Sequence, residues 1–236
     1  MASKSSRTPS RPAAAEATGP ANPPRERLRA YRSKRDFGVT PEPSGDETSE
    51  RPVASPTATG RFVVQRHRAT ALHYDFRLEV DGVLASWAVP RGPTLDPGQR
   101  RLAVRVEDHP LGYFAFEGVI PAHEYGGGDV IVWDWGTYRA SDDTPDAAQA
   151  VDAGEFKFEL DGEKLHGAFV LVRTAGFGRY RARPDGSRAK WLLIHRRDDD
   201  AVPGWDAEDE PYSVKSGRTN DEVATRRRGR PTARRL

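Results

Sequence analysis

From Phe62 onward, apolar and polar positions alternate over short runs that end in turn residues. FVVQ (62–65), DFRLEV (75–80), VLASWAV (83–89), LAVRVE (102–107), DVIVWDW (129–135), EFKFEL (155–160), HGAFVLVRT (166–174) and KWLLIHR (190–196) each predict a strand. Asp81-Gly82 and Asp161-Gly162 fall between such runs and read as two-residue hairpin turns. One stretch, TPDAAQAVDAG (144–154), has helical texture, with Thr144 as its cap and Gly154 as its stop. This series of short strands, without a strand–helix–strand rhythm, predicts a mostly β fold: a small antiparallel barrel or sandwich.

The flanks have a different texture. Residues 1–27 are rich in Ala, Pro, Ser and Arg without apolar periodicity, which predicts a disordered arm. Within 28–60, LRAYRSKRDF suggests local order and PEPSGDETSERPVASPTATG a loop. Beyond residue 200, DDDAVPGWDAEDEPY reads as an acidic linker and the last 20 residues as a mobile basic tail. The net charge of +2 hides this segregation: residues 1–35 carry nine Lys/Arg against two acids, and 217–236 carry seven Arg against two acids. Two basic arms thus flank an acidic body, which suits either a polyanionic partner such as nucleic acid or a pair of solubilising tails. The absence of an apolar run near 18 residues and of an apolar N-terminal segment predicts neither a spanning helix nor a secretory signal. With no cysteine there are no disulfides, thiolate metal sites or thiol nucleophiles. A soluble intracellular protein is the expectation.

The candidate chemistry lies in QRHRATALHYDFRL (65–78). Alternate side chains of a strand share a face, so His73, Asp75 and Arg77 line one face while Tyr74, Phe76 and Leu78 line the core face. Gln65 and His67 stand six to eight residues earlier, within reach of a short loop. Two imidazoles and a carboxylate, His67, His73 and Asp75, suit a divalent ion such as Mn²⁺ or Zn²⁺. Arg77 cannot ligate, but its planar fork matches phosphate oxygens beside such an ion. The competing reading is a wet face on which His73 and Asp75 merely pair with Arg77. A second cluster, EDHPLGY (107–113), offers His109 as a phosphate contact or proton donor and Tyr113 as a hydroxyl donor; taken alone, His109 before Pro110 reads first as a surface turn. His195 shares a face with Trp191 and Leu193 and reads as a core histidine, His166 as a turn residue. His123 in PAHEYGGG stays ambiguous. The glycines at 126–128 read as a turn, since they lack the ending of a phosphate loop.

The run FVVQRHRATALHYDFRLEVDGVLASWAVPRGP, followed in register by RLAVRVEDHPLGY, FEGVIP, YGGGDVIVWDWGTY and WLLIHRRD, resembles the 3′-phosphoesterase domain of bacterial ligase D, the end-joining ligase. YRSKRDFGVTPEPSG upstream is similar to that family's N-terminal motif, so the resemblance covers about 28–198. It implies a small antiparallel β-barrel with one or two short helices, its site in an outer groove, and disordered basic terminal arms. The expected division is an arm over 1–27, the phosphoesterase domain over 28–200, and an acidic linker with a basic tail over 201–236. The resemblance also implies a Mn²⁺-dependent enzyme, with Co²⁺ or Zn²⁺ as other candidate ions. It would remove 3′-terminal ribonucleosides from DNA by a phosphodiesterase step and 3′-phosphates by a phosphomonoesterase step, leaving a 3′-hydroxyl for repair and end joining. Carried over by motif, His67, His73 and Asp75 would hold the metal, and Arg77 and His109 the scissile phosphate. Gln65, Arg91, Arg101, Glu107 and Tyr113 would complete the site, with Arg35 and Glu42 supplied by the N-terminal segment.

Three positions depart from the family pattern: Arg91 stands where Lys is usual, His123 where a small or polar residue is usual, and His195 where Lys is usual. RPDGSR (183–188) superficially resembles a nucleotidyl-transfer signature, but Arg183 cannot serve as its lysine nucleophile. The expectation is a stand-alone, monomeric, cytoplasmic and nucleoid-associated enzyme. Its expected partners are primer-template DNA 3′ ends and a separate ligase or end-binding protein, with no membrane. RGRP (228–231) resembles an AT-hook core, for which A·T minor grooves would be the target. Two other readings use the same residues: a non-catalytic DNA-end-binding module, and an iron oxygenase with His73, Asp75 and His109 as a two-His-one-carboxylate triad.

Overall fold

The structure, a computed structural model, describes residues 23–45, 59–144, 146–174 and 188–226. Its strands are β1 (Thr59–Arg68), β2 (Leu72–Val80), β3 (Val83–Val89), β4 (Arg100–Arg105), β5 (Gly118–Ile120), β6 (Gly128–Ala140), β7 (Glu155–Gly162), β8 (His166–Arg173) and β9 (Lys190–His195). They run in the order β1-β2-β3-β4-β9-β8-β7-β6-β5, and β1 also pairs with β6. That last pairing closes eight antiparallel strands into a barrel, with β5 laid beside the first residues of β6. Closure leaves the eight barrel strands without a free edge. The observed fold is therefore the mostly β, antiparallel barrel, one of the two architectures expected from the alternation and the one the family resemblance implied.

The barrel interior is filled from alternate positions of every strand. Phe62 and Val64, Tyr74, Phe76 and Leu78, Trp87, Trp133, Phe156 and Phe158, Phe169 and Trp191 form one buried cluster. A second cluster lies outside the barrel wall, where Tyr31, Tyr113, Phe116 and Ile120 pack on Val63, Leu84, Val130 and Val132. Tyr31 comes from the short helix α2 (Arg29–Arg32), which follows α1 (Pro24–Arg27); Tyr113 comes from a 3₁₀ turn over Leu111–Ala115. The outer face of β1–β3 is thus partly covered by segments distant in sequence.

Several local readings needed correction. Asp81 and Gly82 have φ of 51° and 76°, the left-handed pair that a two-residue hairpin demands. Asp161 and Gly162, by contrast, belong to β7, and the turn falls at 163–165. The buried Asp134 carboxylate decides this, accepting the backbone N–H groups of Glu163, Lys164 and Leu165 at 2.9–3.1 Å. The body helix, α3 (Ala147–Ala153), is capped by Asp146, whose side chain accepts from Gln149 N at 3.0 Å; Gly154 ends it at φ 96°, as expected. Thr144 instead donates to Lys157 O.

The terminal arms begin and end elsewhere than composition suggested. Residues 24–27, assigned to a disordered arm, form α1, with Arg27 paired to Asp108 at 2.8 Å. Residues 201–226, read as linker and mobile tail, pack on the barrel and end in α4 (Asn220–Arg226). Trp205 meets Trp133, Val214 N donates to Val132 O at 2.9 Å, and the buried Asn220 amide donates to Arg66 O and Asp129 O. Anchors of this kind are few and widely spaced, so they leave no periodic trace in the sequence. Residues 1–22, Arg183 and the RGRP motif lie outside the described residues. Among the described residues no helix is long and apolar enough to cross a membrane.

Candidate active site

The β1–β2 register sets the site. Gln65 pairs with Asp75, His67 with His73 and Val63 with Arg77, so all five polar side chains share the outward face. Ser86 of β3 stands opposite Arg77 on the same face. The opposite face carries Val64, Tyr74, Phe76 and Trp87 into the core, so barrel packing itself aims the polar row outward.

His67, His73 and Asp75 bring one ligand atom each within 4.8 Å of one another. Backbone carbonyls dictate which imidazole nitrogens are free. His67 Nε2 lies 2.8 Å from Gly126 O and His73 Nδ1 lies 3.0 Å from Ala71 O, so both carry the proton and donate. The unprotonated nitrogens, His67 Nδ1 and His73 Nε2, then face the two Asp75 oxygens at 3.5 and 3.7 Å. Metal-binding histidines are commonly oriented by such carbonyl contacts. Burial opposes ionisation of Asp75, yet the adjacent Arg77 guanidinium holds its carboxyl well below the usual range. The donor set is ready for a divalent cation.

Arg77 is 2% exposed and fixed on several sides. Its Nε donates to Gln65 Oε1 at 2.8 Å, and one terminal nitrogen donates to Ser86 Oγ at 2.8 Å and lies 2.9 Å from His109 Nδ1. The other terminal nitrogen meets Asp75 at 3.1 Å. Gln65 is itself held by donating to the Tyr113 and Phe116 carbonyls. His109, also buried, has Arg35 at 3.4 Å from its Nε2. Burial, then Arg77 and Arg35, push its pKa well below the usual histidine value. A ring between two guanidiniums is neutral in the free protein.

The N-terminal segment supplies the outer wall. Arg35 pairs with Glu42 at 2.9 Å and Glu107 at 3.4 Å, and its guanidinium stacks 3.8 Å from the Tyr31 ring centroid. Thr40 and Tyr113 both donate to Glu42, at 2.7 and 3.1 Å. Burial, then Glu42, raise the Tyr113 pKa well above 10, so its phenol keeps its proton and acts as a donor. Lys34 adds a 3.0 Å pair with Glu107 at the rim. Three cations, Lys34, Arg35 and Arg77, thereby balance three anions, Asp75, Glu42 and Glu107. A divalent ion would leave the pocket at +2, complementary to a phosphoryl group.

The structure brings together ten of the twelve residues singled out from sequence: Arg35, Glu42, Gln65, His67, His73, Asp75, Arg77, Glu107, His109 and Tyr113. Arg101 is not on that face. It points inward from β4 in line with Ala103 and Leu193, is 5% exposed, and its buried Nε has no partner among the described residues. The charges acting on it are Asp206, Arg91 and Asp96. Arg91 is exposed in the turn after β3. His123 is exposed and outside the His67/His73/Asp75 group; His195 is buried, with Nε2 3.1 Å from His166 O. The His73/Asp75/His109 triad of an oxygenase does not assemble, because His109 faces two guanidiniums rather than the carboxylate. Sequence reasoning missed Ser86, Thr40, Lys34 and the Gly126 carbonyl. Only the register partner of Arg77 could have flagged Ser86.

Residues 65–173 match the family model of the DNA ligase D 3′-phosphoesterase domain. The chain is 47% identical over 195 residues, 81% of its length, to the multifunctional non-homologous end joining protein LigD of Pseudomonas aeruginosa. It is 46% identical over 156 residues, 65% of its length, to the non-homologous end joining DNA repair protein LigD of Mycobacterium tuberculosis, and 42% over 158 residues, 64%, to LigD of Mycolicibacterium smegmatis. These matches cover 21%, 19% and 20% of the relatives, so the chain spans about a fifth of the length of the curated proteins it matches.

Proposed function

Because residues 65–173 belong to the DNA ligase D 3′-phosphoesterase domain family, we propose that this protein is a metal-dependent phosphoesterase that heals DNA 3′ ends. It removes 3′-terminal ribonucleosides by diester cleavage and 3′-phosphates by monoester cleavage, leaving a 3′-hydroxyl for end joining. The observation that carries this reading is the fixed pair of imidazole tautomers converging on Asp75 beside the pinned Arg77.

His67, His73 and Asp75 would hold the ion, and two imidazoles with one carboxylate suit Mn²⁺, with Co²⁺ or Zn²⁺ as substitutes. Bound there, a divalent ion supplies Lewis-acid neutralisation of phosphoryl charge. Arg77 donates to a phosphate oxygen from a guanidinium that Gln65 and Ser86 hold in place, so little reorganisation accompanies the reaction. His109, neutral in the free protein, holds its proton on Nδ1 against the Glu107 carbonyl at 2.9 Å, so it would give an N–H to a second oxygen from Nε2 once protonated. An incoming phosphate offsets the two guanidiniums that disfavour its protonation. Glu42 and Tyr113 keep Arg35 turned toward His109, and Glu107 shares that task. Arg91, exposed in the turn after β3, would meet a flanking backbone phosphate, whereas Arg101, turned into the barrel, takes no part in the site. A folded unit over about 23–226, a monomeric state, a cytoplasmic and nucleoid location and a separate ligase or end-binding partner belong to the same proposal.

A 5′-labelled primer-template ending in one 3′-ribonucleotide or in a 3′-phosphate tests it. The expected result is Mn²⁺-dependent conversion to a 3′-hydroxyl end, lost on chelation and in His73→Ala. DNA binding without product on either end would instead favour the non-catalytic end-binding module.

A further inference from the structure

Tyr125 is half exposed, 49%, and stands apart from both hydrophobic clusters. The next residue, Gly126, accepts the His67 Nε2 proton at 2.8 Å, so the Tyr125 backbone lies one peptide from the metal-binding group. On its other side, Lys34 Nζ lies 4.6 Å from the ring centroid and donates to Tyr125 Oη at 3.3 Å, and Arg35 lies 5.5 Å from the ring. Lys34 in turn pairs with Glu107. The ring therefore bridges the metal loop and the wall behind the phosphate site, held by cations rather than by apolar packing. An aromatic surface kept half open, steadied by cation–π contacts and set one residue from the carbonyl that orients a metal-binding histidine fits a nucleobase.

We infer that Tyr125 is the stacking platform for the base of the 3′-terminal nucleoside, selecting nucleoside-bearing ends over bare 3′-phosphates. This rests on the functional reading above and deepens it: the platform concerns the diester substrate, whose leaving group carries a base, and not the monoester.

The test compares wild type, Tyr125→Ala and Tyr125→Phe on 3′-ribonucleotide and 3′-phosphate ends with Mn²⁺. Loss of one stacked base is expected to lower the ratio of diesterase to monoesterase kcat/KM about tenfold in Tyr125→Ala, and Phe, which keeps the ring, to restore it. An unchanged ratio in Tyr125→Ala, whatever the absolute rates, overturns the inference, and so does a lowered ratio that Phe fails to restore. A second measurement needs no turnover: the Kd of metal-free protein for DNA ending in a base-bearing ribose against one ending in an abasic ribose. Wild type should prefer the base about tenfold and Tyr125→Ala should not; equal preference in the two proteins overturns the platform. If wild type hydrolyses neither end, the functional reading falls, and the binding comparison still decides the role of Tyr125.

Discussion

Arg77 shows how much of this site depends on the shape of one side chain. Its guanidinium meets Gln65, Ser86, His109 and Asp75 from a single strand position. A lysine keeps the charge but cannot satisfy those directions at once. Arg77→Lys is therefore expected to lower kcat by about 10²-fold or more, the scale of losing an oriented transition-state donor, while the protein stays folded; steady-state rates beside circular dichroism check this. His109 makes a second expectation at this scale. Burial and two guanidiniums depress its pKa, so its ring should remain neutral from pH 8 down to pH 6 in ¹⁵N spectra of the substrate-free protein. A charged ring at pH 6 would contradict the environment described. The linked stability has a definite sign: the unfolded chain takes up this proton near pH 6.5 and the folded chain does not. His109 therefore lowers stability progressively as pH falls through that value.

At the scale of the element, Asp134 and Asn220 hold two segments in place. Burial raises the Asp134 pKa to about 6, although the backbone N–H groups of the 163–165 turn partly offset it. Its folded pKa lies above the unfolded value, so the folded state binds the proton more tightly and is favoured as pH falls from 6 toward 4. Relative to Asp134→Asn, wild type should gain up to about 3 kcal/mol between pH 7 and pH 4 in urea titrations. A flat difference would rule this out. Asn220→Ala leaves Arg66 O and Asp129 O without their side-chain donor and Arg66 Nη1 without its Asn220 acceptor, while Glu208 still holds the rest of the guanidinium. Leaving buried groups unpaired costs roughly 1–3 kcal/mol, a loss that thermal unfolding would detect. The strands were legible because a two-residue period is local. The 163–165 turn was not, because its deciding partner lies 29 residues or more earlier.

For the whole molecule, the excess of positive charge lies beyond the described residues. Residues 1–22 and 227–236 carry eight Lys/Arg against a single acid, while the barrel body is acidic. Phosphate contacts make DNA affinity fall steeply with salt. A chain trimmed to 23–226, which keeps α1 and α4, is expected to show a distinctly shallower slope of log Kd against log salt, with end cleavage retained at low salt. An unchanged slope would assign binding to the barrel alone.

The sequence by itself determined the strand periodicity, the Asp81-Gly82 hairpin and the shared face of His73, Asp75 and Arg77, since each depends on residues a few positions apart. The family motifs extended that reading to Arg35, Glu42 and His109. Only the tertiary structure decided which imidazole nitrogens are free, that His109 sits between two guanidiniums, that Arg101 turns inward, and that residues 201–226 clasp the barrel. Those outcomes depend on backbone carbonyls, burial and charges contributed by segments tens of residues apart, and no local pattern of side chains encodes them.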